Sequence, residues 1–201
     1  RVGEYLSLRR LAATFLRSLR LGFLSRENRR MKRLIIVSGT MGVGKTSACA
    51  ALYKMAPRTV WLDGDWCWLM NPWNMCDENK RMVMSNILWI LRSYLRNTTF
   101  DNVVFSWVLH RREIIEELLA GLAGLEYSLN AFVLTCSPAT LEGRMIADGR
   151  SSQQVEDSLG RMRLYSEIGW TVVDTEGIDS EAAASIIARM AGISVEGREK
   201  A

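Results

Sequence analysis

Histidine occurs once, at His110, and the four cysteines (Cys49, Cys67, Cys76 and Cys136) include no Cys-x-x-Cys pair. This set is too sparse for a zinc site or a disulfide framework, and unpaired thiols favour a reducing cytoplasm. No run of 18 or more apolar residues occurs, so no segment is long and apolar enough to cross a membrane as a helix. Proline is scarce, with three residues in the chain, and there is neither an internal repeat nor a low-complexity linker. What is present is apolar residues, 48% of 201, enough for one well-filled core.

The net charge of +4 is unevenly distributed. Residues 1–30 carry eight arginines against Glu4 and Glu27, a balance of +6 that leaves −2 for the rest of the chain. The basic character therefore belongs to the N-terminal segment, and no nucleic-acid partner is expected for the main domain. Within that segment Leu8, Leu11, Ala12, Phe15 and Leu19 recur at helical spacing, with Arg9, Arg10, Arg17 and Arg20 on the other face. Such a helix could lie on an anionic membrane or a partner, or serve as an organelle-targeting segment. Alternatively the chain proper starts at Met31, directly before the first strand. The division expected is an extension over 1–30, a main domain over 31–192 and a polar tail over 193–201.

From Met31 onward short apolar runs alternate with helical patterns, the signature of a parallel sheet covered on both faces. Strands are expected over Leu34–Ser38, Thr59–Leu62, Asn102–Val108, Ala131–Thr135 and Trp170–Val173. Helices are expected over Lys45–Met55, Glu78–Arg96, Arg112–Leu122, from Pro138, over Ser152–Ile168 and over Ser180–Met190. Ser151 with Gln154 matches a capping box.

Between the first strand and first helix lies GTMGVGKTS, residues 39–47, which fits Gly-x4-Gly-Lys-Thr. This P-loop, or Walker A, pattern predicts nucleotide triphosphate binding. Glycines let backbone N–H groups converge on phosphates at a helix N-terminus, a site that favours anions. Gly39, Thr40, Met41, Gly42, Val43, Gly44, Lys45, Thr46 and Ser47 form the expected phosphate cradle. Lys45 is expected to reach the β and γ phosphates, and the Thr46 hydroxyl to ligate Mg²⁺.

Three fates for the terminal phosphate compete. A GTPase switch should show Asp-x-x-Gly after strand three and Asn-Lys-x-Asp later; Asp174-Thr175-Glu176-Gly177 follows strand five, and no Asn-Lys-x-Asp comes after it. A motor or transport ATPase should end strand three in a carboxylate, and Val103–His110 contains none. Transfer to an acceptor is left, and strand two supplies its acids, Asp63-Gly64-Asp65. Carboxylates at i and i+2 of an extended chain point the same way. One would hold a water of the Mg²⁺ shell, assigned to Asp63, and the other would take a proton from an attacking hydroxyl, assigned to Asp65. The two roles are interchangeable on sequence alone.

These residues resemble the P-loop small-molecule and nucleotide kinases, among them gluconate, shikimate, adenylylsulfate and chloramphenicol kinases. The resemblance covers residues 31–192 and rests on the P-loop and on LDGDW, residues 62–66, which is similar to the LDGD of adenylylsulfate kinases. It implies a five-stranded α/β P-loop fold, ATP and Mg²⁺ as cofactors, and γ-phosphate transfer to a hydroxyl or phosphate of a small molecule or nucleotide. It also implies an arginine-bearing lid after strand four. Arg144 and Arg150 are the first candidates there, with Arg161 and Arg163 on the next helix, because guanidinium groups suit charge on a transferred phosphoryl group. The loop from Asp174 to Asp179 is expected beside the adenine.

The acceptor signals of those kinases are missing. Neither Asp-Gly-Phe-Pro-Arg nor Phe-Ile-Ser-Pro nor a triple glycine follows strand three, where the chain reads Trp107-Val108-Leu109-His110-Arg111-Arg112. Trp66, Trp68 and Trp73 follow the aspartates instead, as stacking surfaces or as core. His110 and Arg111 are candidates to face the acceptor. The competing class is a P-loop ATP- or GTP-binding regulatory protein with no acceptor.

Overall fold

The computed structural model describes residues 31–195. The arginine-rich amphipathic helix anticipated within 1–30, and residues 196–201 of the tail, lie outside the described residues. Five strands, β1 (Lys32–Ser38), β2 (Thr59–Asp63), β3 (Asn102–Ser106), β4 (Tyr127–Thr135) and β5 (Thr171–Asp174), form one sheet in the order β2-β3-β1-β4-β5. All four pairings are parallel. Six α-helices connect them: α1 (Lys45–Met55), α2 (Asp77–Arg96), α3 (Arg112–Gly121), α4 (Pro138–Ala147), α5 (Ser152–Tyr165) and α6 (Ser180–Met190). The expected α/β P-loop fold is the one observed.

Alternation along β1 divides the core in two, because successive side chains of a strand face opposite ways. Ile35 and Val37 join Ala48, Leu52, Leu134 and Ile187 on one face. Leu34 and Ile36 join Ile87, Leu91, Phe105 and Leu118 on the other. A sheet covered on both faces needs continuous apolar strands, and β1 supplies Leu-Ile-Ile-Val, all fully buried. Among the described residues no helix is long and apolar enough to cross a membrane.

Several boundaries differ from expectation. β3 stops at Ser106 instead of Val108. Trp107 N still reaches Val37 O at 3.2 Å, but Leu109 N then donates to Ser38 Oγ at 2.9 Å and the chain leaves the sheet. β4 begins at Tyr127, earlier than its apolar run, because Tyr127, Ser128 and Asn130 pair in register with Lys32, Arg33 and Ile35. α5 ends at Tyr165, short of Ile168, before a turn through Gly169. Its start carries the expected capping box, Ser151 with Gln154.

Candidate active site

The C-terminal edge of the sheet gathers the chemistry. β1 runs into residues 39–44 and then into α1, whose N-cap Gly44 lies in the left-handed region at φ 100°. Gly39, at φ 145°, could not be replaced: a Cβ there would stand 2.7 Å from the Leu134 carbonyl oxygen of the neighbouring strand. The loop is braced by side chains as well as by backbone. Lys45 Nζ donates to Thr40 O at 2.8 Å, and Thr40 Oγ1 donates to Ser158 O of α5 at 2.9 Å. Lys45 is 9% exposed, and its burial brings the ammonium down to about 8, although the nearby Asp65 and Asp63 carboxylates hold it up.

β2 is separated from β1 by β3, yet its last residue reaches the P-loop helix. Thr46 Oγ1 donates to Asp63 Oδ2 at 3.0 Å, and the other carboxylate oxygen, Oδ1, accepts Asp65 N at 3.1 Å. Asp63 is buried and thus fixed at both oxygens. The expectation that Asp63 and Asp65 project together from an extended strand needs correction. β2 ends at Asp63, and Gly64–Trp68 form a 3-10 turn that Asp63 caps. Proximity of the two acids comes from that turn, not from strand periodicity. Gly64 is required in it, since a Cβ would lie 2.5 Å from the Trp107 ring. Asp65 stands at the rim. Burial of its carboxyl, then the Asp63 charge, raise it above the usual carboxylate range, against the opposing pull of Lys45 and a hydrogen bond from Trp107.

Behind this front the Cys49 thiol is pushed up by burial and by Asp63, so it is an inert core group. Trp61 Nε1 donates to Ser106 Oγ at 2.9 Å, fixing the β2–β3 edge beneath the site. Oxygen donors at Thr46 and Asp63 suit Mg²⁺, which binds through one or two protein oxygens, waters and substrate phosphates. Among the described residues there is no cluster of three or more His, Cys, Asp or Glu that would form a dedicated metal cage.

The two foremost lid arginines separate. Arg144, on α4, spends its donors on protein: Nη1 to Thr175 Oγ1 at 3.0 Å, Nη2 to Thr175 O at 2.7 Å and Nη1 to Val43 O at 3.4 Å. It braces the P-loop against the loop after β5. Arg150, in the turn between α4 and α5, is exposed, and its guanidinium makes no hydrogen bond or ion pair among the described residues. Arg161 lies 3.8 Å from Asp157 on its own helix, and Arg111 3.7 Å from Glu113. The Asp174–Gly177 segment is pinned internally: Asp174 Oδ1 accepts Glu176 N, while Glu176 accepts Ser137 N and the Thr140 hydroxyl. Those two bonds, Thr140 first, hold the Glu176 carboxyl below its usual range.

Ser38, Thr175, Ser158 and Tyr165 are given no role in the sequence reading, whereas His110 is a candidate there to face the acceptor. Ser38 receives Leu109 N and donates to Trp107 O at 3.0 Å, tying β1 to the end of β3. Thr175 receives Arg144 and donates to Thr135 O at 2.9 Å. Ser158 Oγ, Tyr165 Oη and His110 Nδ1 are buried polar atoms without a hydrogen-bond partner among the described residues, and the His110 and Tyr165 rings are 6.3 Å apart. Burial, then Arg161, lower His110 from its ordinary value, disfavouring its charged form. Single serines and threonines carry no periodicity, and only the short Ser-Gly step after β1 marks Ser38 in the sequence.

Residues 35–162 match the family model described as an AAA domain, most of the chain. The chain belongs to that family. No curated protein matches it by sequence. Among solved structures, this AAA domain is similar to the Deinococcus radiodurans tunicamycin resistance protein, with a TM-score of 0.65 and 21% identity over 83% of this chain and 99% of that one. It is also similar to a gluconokinase from Sinorhizobium meliloti 1021, with a TM-score of 0.60 and 20% identity over 82% and 94% of the two chains. Shikimate kinase from Acinetobacter baumannii gives a TM-score of 0.54 and 18% identity over 84% and 97%. At these identities the likeness is one of fold, and the fold is that of P-loop kinases.

Proposed function

We propose that the protein is an ATP-dependent phosphotransferase that moves the γ-phosphate to a hydroxyl of a small molecule. The observation that carries this reading is the bonded chain Thr46–Asp63–Asp65, which links the P-loop helix to the end of β2 and holds Asp65 exposed at the rim. Lys45 and the backbone N–H groups of residues 39–46 bind and orient the phosphates. Thr46 and Asp63 would hold Mg²⁺, which when bound neutralises charge on the β and γ oxygens. Asp65 accepts the proton of the acceptor hydroxyl as its oxygen bonds to the γ phosphorus and the bond to the bridging oxygen of ADP breaks. Its raised affinity for a proton suits that role better than an ordinary carboxylate would. Arg150, whose guanidinium has no partner among the described residues, is assigned to the developing phosphoryl charge. Four unpaired cysteines, two of them buried, are consistent with a reducing cytoplasm.

The test is ATP consumption by the full chain across nucleosides, nucleotides, sugars and antibiotics. Stimulation by one hydroxyl compound, with a phosphorylated product and loss of transfer in Asp65→Asn, is the expected result. Nucleotide binding without transfer to any member would favour an acceptor-free regulatory protein.

A further inference from the structure

Immediately after Asp65 the chain reads Trp66-Cys67-Trp68-Leu69-Met70-Asn71-Pro72-Trp73-Asn74-Met75-Cys76, eleven residues without a charge. Part of this segment is anchored. Cys67, Trp68 and Met70 pack against the buried cluster of Leu62, Ile87 and Phe105, and Asn79 Nδ2 donates to Asn74 O at 2.9 Å. Other large apolar residues of the segment face solvent: Leu69 is 84% exposed, Trp73 61% and Met75 53%. Trp66, whose ring lies 4.9 Å from Trp61, and Met82 on α2 are also exposed, and the Trp73 ring lies 6.4 Å from that of Trp68. Apolar groups scattered singly on a surface need no explanation, but several large ones exposed on one short, anchored, uncharged segment invite a binding role.

We propose that this surface receives the apolar part of the phosphate acceptor, so that the substrate is an amphiphile: a hydroxyl-bearing polar head joined to an alkyl chain or apolar ring. The proposal rests on the phosphotransfer reading above and names the substrate class for that site. Position argues for it, because the surface begins at the residue after Asp65 and a bound apolar group there leaves the head at the carboxylate. Charge argues against a lipid bilayer as the occupant. Segments that dock on anionic membranes carry lysine and arginine, whereas this one carries none and the first charges beyond it, Asp77 and Glu78, are acidic. Size argues against a protein partner: five side chains fall well short of the roughly 20–30 residues a stable interface needs on each side. Flexible methionines beside rigid tryptophans suit an apolar ligand of variable shape.

The experiment is calorimetric titration of the full chain, with Mg²⁺ and the β,γ-imido analogue of ATP present. n-Octyl β-D-glucoside below its micelle concentration is compared with methyl β-D-glucoside. One-to-one binding of the octyl compound, at least about tenfold tighter than the methyl one, is expected, since each buried methylene adds to affinity. Leu69→Ser/Trp73→Ser/Met75→Ser should erase the difference, with a thermal melt to verify folding. Leu69→Ser alone, at the most exposed position, should reduce it if the triple variant does not fold. Equal affinities for the two glucosides, or a difference unchanged in the variants, would overturn the proposal. So would cosedimentation with phosphatidylcholine vesicles, or a dimer that the substitutions dissociate, since either assigns the surface to another occupant. Calorimetry does not need turnover, so octyl binding with no phosphate transfer to any hydroxyl compound would refute the phosphotransferase reading and leave the apolar site standing.

Discussion

The phosphate side and the acceptor side of this site are built on opposite principles. On the phosphate side polar groups are bonded to one another, Lys45 to Thr40, Thr40 to Ser158, Thr46 to Asp63 and Asp63 to Asp65 N, and Thr40, Lys45 and Asp63 are buried. On the acceptor side, a few residues further along the chain, Leu69, Trp73 and Met75 face solvent with no charge among them. A preorganised polar cradle suits one invariant ligand group, the triphosphate, whose charge has to be matched by donors held in place before it arrives. An apolar surface tolerates variation, because burial of apolar area is non-directional. The difference teaches that commitment to chemistry and choice of substrate are carried by separate, adjoining segments, with Asp65 at the junction.

The sharpest way to break that division is at the junction itself. Asp65→Asn keeps the shape and removes the proton acceptor, so single-turnover transfer should fall by about 10² to 10⁴-fold with little change in ATP affinity. Equal loss of ATP binding would assign Asp65 to the phosphate side. Lys45→Ala should cost about 10² to 10³-fold in transfer, the effect of deleting one preorganised charge donor, in a protein whose thermal melt shows it folded. Asp63→Asn should raise the Mg²⁺ concentration needed for half-maximal rate by about 10 to 100-fold, because Asp63 orients Thr46 and the metal's waters. A magnesium titration that superimposes on wild type would remove Asp63 from the metal site.

Nucleotide affinity should also depend on pH. Lys45 has its proton affinity lowered by burial to about 8, and phosphate binding requires its charged form. Affinity is therefore full below about pH 8 and falls by up to about tenfold per unit above it, with proton uptake on binding in that range. The same depressed value makes stability of the ligand-free protein rise with pH between about 8 and 10, since the unfolded chain binds the extra proton there. Gly64→Ala is the mildest perturbation, a methyl forced against the Trp107 ring, and should cost about 1–3 kcal/mol by overpacking. A thermal melt identical to wild type would show that the turn yields.

How much was legible in the sequence divides along the same line. β1 and α1 could be read almost to the residue, since Leu34–Val37 and Gly39–Thr46 are constrained by core burial and by phosphate geometry together. The pairing of Asp63 with Asp65 could be read, but not its cause, because a 3-10 turn leaves no periodicity over five residues. Arg144 and Arg150 look alike in the chain. Only the packing of α4 against Thr175 distinguishes the bonded one from the exposed one. Trp66, Trp68 and Trp73 were equally readable as core or as stacking surface, since residue type encodes hydrophobicity and not whether a neighbour covers it; Trp68 packs on the core while Trp66 and Trp73 are exposed. The start of β4 was hidden for the opposite reason: Ser128 and Asn130 are polar residues held in the sheet by backbone pairing to β1.

The central claim is that the γ-phosphate is handed to an acceptor hydroxyl and not thrown to water. The direct measurement is a single turnover of γ-labelled ATP at saturating Mg²⁺ with an acceptor drawn from the panel, followed by separation of products. The account predicts label in an organic phosphate ester, formed faster than inorganic phosphate and abolished in parallel by Asp65→Asn. Label appearing only as inorganic phosphate, at a rate indifferent to every acceptor and to Asp65→Asn, would contradict it.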